Sequence, residues 1–150
     1  MTTPSAGWFE GREHVLPVRV YYEDTDFTGL VYHANYLRYF ERGRSDFLRT
    51  AGVSHADLLA REDPVAFVVT RMEIDFRTPA RIDDALLVRT TYDTARGPRL
   101  TIRQRVTRDT ALIARAIVET ACIDLDGRAR KPPKGLVETL KPWFSTARAE

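Results

Sequence analysis

Asn35-Tyr36-Leu37-Arg38-Tyr39-Phe40-Glu41-Arg42-Gly43-Arg44-Ser45-Asp46-Phe47-Leu48-Arg49-Thr50-Ala51-Gly52 is the stretch on which the fold turns. Tyr36, Phe40, Gly43, Phe47 and Ala51 recur at steps of 4, 3, 4 and 4 residues, which lines them up on one face of an α-helix. Asn35 stands where an N-cap is expected and Gly52 where a helix stops. Gly43 sits on the apolar stripe although glycine costs about 1 kcal/mol against alanine inside a helix. That placement predicts another backbone passing close to it. The helix is built to bury one side.

What it buries against is read on either side. Upstream, 14–22 alternates, with Val18, Val20 and Tyr22 on one face and Arg19 and Tyr21 on the other, the pattern of a strand. Glu23 to Asp26 then bring residues that bond their own backbone, and Gly29 permits a left-handed turn. Downstream of a polar connection at 54–64, four extended stretches follow at 65–76, 85–94, 99–108 and 111–125. Leu86, Val88, Thr90 and Tyr92 alternate with Leu87, Arg89 and Thr91, as Leu100, Ile102 and Val106 do with Thr101, Arg103, Arg105 and Thr107. The connections at 95–98 and 109–110 are hairpin length, so the last three strands form an antiparallel meander. Pro132 and Pro133 close the extended region, and 134–144 reads as a short helical tail docking Leu136, Leu140 and Phe144.

The result is an α+β fold, a five-stranded antiparallel sheet with one long helix across it. The expected layout is a flexible lead-in over 1–13 with Trp8 or Phe9 docked, a domain over 14–130 and a tail over 131–150. A single open sheet leaves two edges, which are commonly covered or paired with another copy. A dimer with a continuous sheet is therefore expected.

Composition narrows the function classes. At 150 residues, 43% hydrophobic, with a single cysteine, the chain suits one domain that needs no disulfide or metal staple. No apolar run reaches the length of a membrane-spanning helix and 1–10 lacks the pattern of a secretion signal, so a cytoplasmic location is expected. The 23 basic residues, 20 of them arginine, are interleaved with 21 acidic ones and form no basic block of the kind nucleic acids bind. The serine-elbow, phosphate-loop, dinucleotide and zinc-helix signatures are missing. Cys122 lies in an apolar run and reads as a small core hydrophobe.

The densest reactive cluster is Glu23-Asp24-Thr25-Asp26, followed by Tyr32-His33-Ala34-Asn35 at the helix start. A carboxylate just before a helix can face the free N–H groups of its N-terminus. For acyl transfer that pairing supplies a nucleophile or base together with donors for the developing oxyanion. The same residues equally serve as helix caps and turn formers. Asp24, Asp26 and His33 together are also a ligand set for a divalent ion, although no metal is expected. Glu41 lies near the apolar stripe, where partial burial or solvation are both open.

The runs Val18 to Asp26 and Gly29 to Glu41 contain Tyr-Glu-Asp-Thr-Asp-Phe-Thr-Gly-Leu-Val-Tyr-His-Ala-Asn-Tyr over 22–36. This resembles the hotdog-fold acyl-CoA thioesterases, and more narrowly the 4-hydroxybenzoyl-CoA thioesterase group and its YbgC-like branch. Weaker resemblance continues through Asp75-Phe76-Arg77-Thr78-Pro79-Ala80 to about Gly127. The resemblance implies a sheet wrapped around the helix, homodimers or tetramers joined at sheet edges, and sites at the dimer interface. It also implies Asp26 as the essential carboxylate and the His33 N–H as the group polarising the thioester carbonyl, with the imidazole assisting. The substrate would be an acyl-CoA, coenzyme A being part of the substrate and no cofactor being needed. Its phosphates would meet Arg96, Arg99, Arg128, Arg130 and Lys131, and its acyl group Tyr32, Tyr36 or residues of 65–70. Two other readings go with the resemblance: a hydratase or dehydratase on the same fold, or a non-catalytic partner of an acyl carrier protein or envelope complex.

Overall fold

The computed structural model describes residues 7–145. Strands β1 (Trp8–Glu10), β2 (Glu13–Arg19), β3 (Ala66–Phe76), β4 (Ala85–Asp93), β5 (Arg99–Arg108), β6 (Ala111–Ile123) and β7 (Phe144–Ser145) form one sheet ordered β1-β2-β4-β5-β6-β3. Neighbours along that path are antiparallel, while β7 pairs in parallel with the end of β4. Helix α1 (Asn35–Ala51) packs on the sheet, and α2 (His55–Ala60) and α3 (Lys134–Leu140) are short.

The five expected strands are all present, but the sheet has seven, and two short helices accompany the long one. The additions are too brief for alternation to reveal: β1 has 3 residues and β7 has 2. The first six residues of the expected lead-in lie outside the described residues. Beyond them β1 forms a hairpin with β2 through Gly11, at φ 63°. Phe9 docks there, stacked on Trp143 at 4.0 Å and edge-on to Phe47 at 4.9 Å. Part of the connection at 54–64 becomes α2, capped by the Ser54 hydroxyl accepting from the Asp57 N–H.

On α1, Tyr36, Phe40, Gly43 and Phe47 are buried as the periodicity demands, joined by Tyr39 and Leu48. Full burial of one such large apolar side chain is worth about 1.5–3 kcal/mol. Gly52, at φ 103°, ends the helix, and its N–H donates to the Arg49 carbonyl. Against expectation the N-cap is Ala34, because Asn35 has entered the first turn and its side chain is engaged elsewhere. What presses on Gly43 is also different: side chains of the sheet, not backbone. A Cβ built there would lie 2.7 Å from Val88 Cγ1 and 2.9 Å from both Gln104 Nε2 and Thr90 Oγ1. Gln104 takes the buried face of β5 between Ile102 and Val106, and donates to the Phe40 carbonyl and to Thr90 while accepting from Arg44. A buried amide needs such partners.

Three features position the site. Strand β2 stops at Arg19, before the expected 22, because the Asp24 carboxylate captures the Tyr21 N–H and turns Tyr22–Asp24 into a 3-10 coil. The chain then returns along Leu30 and Val31, bridging to Arg81 and Thr25. Finally, β3 is a sheet edge of 11 residues, with Val68, Val69 and Phe76 exposed.

Candidate active site

Asp26 opens a turn that closes on itself. Its N–H donates to the Leu30 carbonyl at 2.9 Å, its carbonyl accepts from Gly29 at 3.1 Å, and Gly29 takes φ 80°. The carboxylate accepts from the Thr28 N–H at 2.8 Å and from the Thr28 hydroxyl, yet the residue remains exposed. Those Thr28 donors, hydroxyl first, hold the Asp26 carboxyl below its usual 3.8. Hydrogen bonds to an ionised carboxylate favour that form.

Asp24 is the opposite case. It is buried, its Oδ2 accepts from the Tyr21 N–H at 2.8 Å, and its Oδ1 accepts from Asn35 Nδ2 at 3.0 Å. Its carbonyl also takes the Tyr32 N–H at 3.0 Å. Burial pushes the Tyr39 phenol well up, and the Asp24 carboxylate beside it adds to the rise. Spacing alone left Asp24 and Asp26 in one cluster, from which the resemblance singled out Asp26; the structure separates a buried anchor from an exposed carboxylate. The signal available was Asn35, whose amide needs an acceptor once the residue joins the helix.

At the start of α1 the N–H groups of Asn35, Tyr36 and Leu37 are already spent on the carbonyls of Tyr32, His33 and Ala34. Among the described residues the His33 and Ala34 N–H groups donate to no partner. The expected ring of free amides thus reduces to two. Both follow the Leu30-Val31 return that the Thr25–Val31 bridge and the Asp26–Leu30 hydrogen bond keep alongside Asp26. The His33 ring is exposed, 4.6 Å from Tyr32 and 6.4 Å from Phe76 between centroids. Tyr32 is half exposed, whereas Tyr36 is buried and its hydroxyl accepts from the Ala80 N–H at 3.3 Å. Tyr36 therefore fixes the 80–82 segment under the loop.

The basic residues gather elsewhere. The β4–β5 hairpin joins Arg96 to Arg99, Pro98 accepts from the Cys122 N–H, and Arg130 donates its N–H to the Cys122 carbonyl. Arg96, Arg99, Arg128, Arg130 and Lys131 thus collect where β6 ends and β3 begins, since Ala66 pairs with Ile123. Asp26 and His33 lie at the opposite end, beside Phe76. The 10 residue steps of β3 from Ala66 to Phe76 span roughly 30 Å. The expected site residues therefore form two groups within one chain. Arg130 is moreover held by Asp63, whereas Arg96, Arg99, Arg128 and Lys131 have no carboxylate partner among the described residues.

Glu41 is exposed and pairs with the buried guanidinium of Arg44. Those two, with Ser45, Leu48, His55 and Phe67, line part of a small cavity of about 50 Å³ between α1 and the sheet. Cys122 is fully buried, and desolvation pushes its thiol up, as suits a core residue.

A sheet wrapped around one helix fits a hotdog-fold protein, and a carboxylate turn leading into uncommitted amides at that helix's start offers the groups that acyl transfer uses. The comparisons agree. Residues 20–144 match the family model of the thioesterase-like superfamily. The chain is 46% identical over 110 residues to the acyl-CoA thioesterase YbgC of Haemophilus influenzae, covering 73% of this chain and 80% of that protein. It is 42% identical over 127 residues to the acyl-CoA thioester hydrolase YbgC of Escherichia coli O6:H1, covering 83% and 93%. The crystal structure of hypothetical protein TT1821 from Thermus thermophilus superposes with a TM-score of 0.81 at 32% identity, over 89% of this chain and 99% of that one. The chain belongs to the thioesterase-like superfamily, in its YbgC-like branch.

Proposed function

We propose that this protein hydrolyses acyl-CoA thioesters to a free carboxylic acid and CoA, with Asp26 acting on the thioester carbonyl and the His33 N–H polarising it. The observation that carries the reading is the exposed, hydrogen-bonded Asp26 carboxylate whose turn is tied to the strand leading into two uncommitted amides. Preorganised donors aimed at a developing oxyanion are a large source of rate enhancement. The ionised carboxylate either attacks the carbonyl carbon, forming an anhydride that water opens, or takes a proton from water as the water attacks. In both routes the C–S bond breaks, the acyl group gains the water oxygen, and the CoA sulfur leaves as thiolate and takes up a proton.

Coenzyme A has to be reached as well, and the cations lie about 30 Å away along a strand. A second protomer resolves this. Pairing the exposed β3 edges antiparallel about a two-fold axis lays the Ala66 end of one strand by the Phe76 end of the other. Arg96, Arg99, Arg128 and Lys131 of one chain then face Asp26 and His33 of its partner. The CoA phosphates accept from these cations, and the acyl group lies toward Tyr32 and Phe76.

The test is CoA release from a panel of acyl-CoA esters by wild type and Asp26→Asn. Removing a positioned acid–base group typically lowers the rate by about 10²–10⁴-fold. The expected outcome is a loss of that size in kcat with fold and oligomer size retained. Wild-type turnover by Asp26→Asn would remove Asp26 from the chemistry.

A further inference from the structure

Asp26 is held by contacts that all lie within its own turn, to Thr28, Gly29 and Leu30. Such a turn has a shape of its own, but nothing in those contacts fixes where it stands relative to the helix. The two ends of the turn do so, together with the Ile82 N–H that donates to the Gly29 carbonyl at 3.2 Å. At the entering end Asp24 is anchored by the Tyr21 N–H, and at the leaving end Tyr32 donates to the Asp24 carbonyl. The direct link to α1 is the buried hydrogen bond from Asn35 Nδ2 to Asp24 Oδ1, between residues that are 6% and 7% exposed, whereas Tyr36 reaches the turn only through the 80–82 segment. One side chain therefore joins the end of β2, the carboxylate turn and the first residue of the helix whose preceding amides are uncommitted.

Resting on the function proposed above, we infer that Asp24 and Asn35 are positioning residues, a buried carboxylate–amide strut that sets the separation between the Asp26 carboxylate and the His33 N–H. Neither residue touches substrate. Their effect falls on the transition state, because the distance they fix matters only when the carbonyl oxygen is taking charge at the amide while the carboxylate acts at carbon. Binding of the CoA portion, which depends on the distant cations, stays as it is.

The chemistry of the pair supplies its own control. In Asp24→Asn an amide faces the Asn35 amide; in Asn35→Asp two carboxylates face each other. In the exchanged double variant donor and acceptor are restored in reverse order, and the side-chain carbonyl oxygen introduced by Asp24→Asn still accepts from the Tyr21 N–H. A misplacement near 1 Å costs about 10²-fold in rate. Asp24→Asn and Asn35→Asp should each lower kcat by about that factor with little change in KM, and the exchange should recover most of the loss.

Steady-state kinetics on folded protein, checked by circular dichroism and sedimentation, decide the matter. Asn35→Ala, which leaves Asp24 in place, reads the same drop in kcat at constant KM should the Asp24 variant not fold. A purely structural role would change the yield of folded protein and leave kcat per folded site alone, and that result overturns the inference. So does an exchanged double variant no better than its parents. Inactivity of the wild type on every acyl-CoA, or full activity of Asp26→Asn, would instead overturn the function on which the inference rests.

Discussion

Asp26 and Asp24 are two residues apart and chemically identical, yet one is exposed and the other buried, so environment alone assigns their roles. The Thr28 hydroxyl and N–H keep the Asp26 carboxyl below 3.8. The sign of the pH effect follows. In the proposed mechanism the active form is ionised, so activity that depends on Asp26 is complete above its pKa and is lost only as the pH falls through that depressed value. Thr28→Val removes the hydroxyl donor and keeps the backbone one, so its pKa should rise toward 3.8. The acid limb of kcat/KM, which reports groups of the free enzyme, should therefore move to higher pH in Thr28→Val than in wild type. Profiles measured where both proteins remain folded test this, and superimposable acid limbs would contradict it. At this scale the sequence shows which residue types are present and how they are spaced, so Asp26 and His33 were legible as candidates. The burial that divides Asp24 from Asp26 was not, since it depends on Asn35 entering the helix and on Tyr39 lying beside the carboxylate from a turn away.

Elements were easier to read than their ends. The stripe of α1 and the alternation of β4 and β5 are long patterns that tertiary packing reinforces, and the structure keeps them. The stop of β2 at Arg19 and the two shortest strands have no periodicity to read and come from single hydrogen bonds and contacts made after the chain has folded. Gly43 shows what a pattern leaves unsaid. Its place on the buried stripe announces close approach, but only coordinates identify Val88, Thr90 and Gln104 as what approaches. Gly43→Ala sets two effects against each other: alanine gains about 1 kcal/mol of helix propensity, and overpacking loses typically about 1–3 kcal/mol. Two of the three neighbours are held in a hydrogen-bond network with Phe40 and Arg44, so they yield at the expense of those bonds. The variant should be less stable than wild type by about 1 kcal/mol, which is the middle of the overpacking range less the helical gain. Urea unfolding monitored at the helix signal measures it, and a raised midpoint would mean that the sheet relaxes freely around the new methyl group.

For the whole molecule the question is how two groups of candidate site residues at opposite ends of one sheet would serve the one reaction proposed for them. Among the described residues only the exposed β3 edge offers a continuous ladder long enough to bring an opposite end alongside, and an edge of 11 residues bearing Val68, Val69 and Phe76 in the open is the kind that other chains pair with. The two-fold arrangement makes a prediction that a self-sufficient protomer does not. Take one parent carrying Asp26→Asn and another carrying Arg96→Glu, Arg99→Glu and Arg128→Glu, each deficient alone, and mix them through unfolding and refolding at equal amounts. If cations and carboxylate come from different chains, each mixed dimer holds one site with both defects and one with neither. Half the dimers are mixed, so the expected recovery is about a quarter of wild-type kcat/KM. If both groups act within one chain, every site in a mixed dimer keeps one defect and activity stays at the average of the parents. The measurement is CoA release at substrate concentrations below KM, with sedimentation confirming dimers in each sample, and recovery no greater than that average would break the link between the open edge of β3 and the chemistry at Asp26.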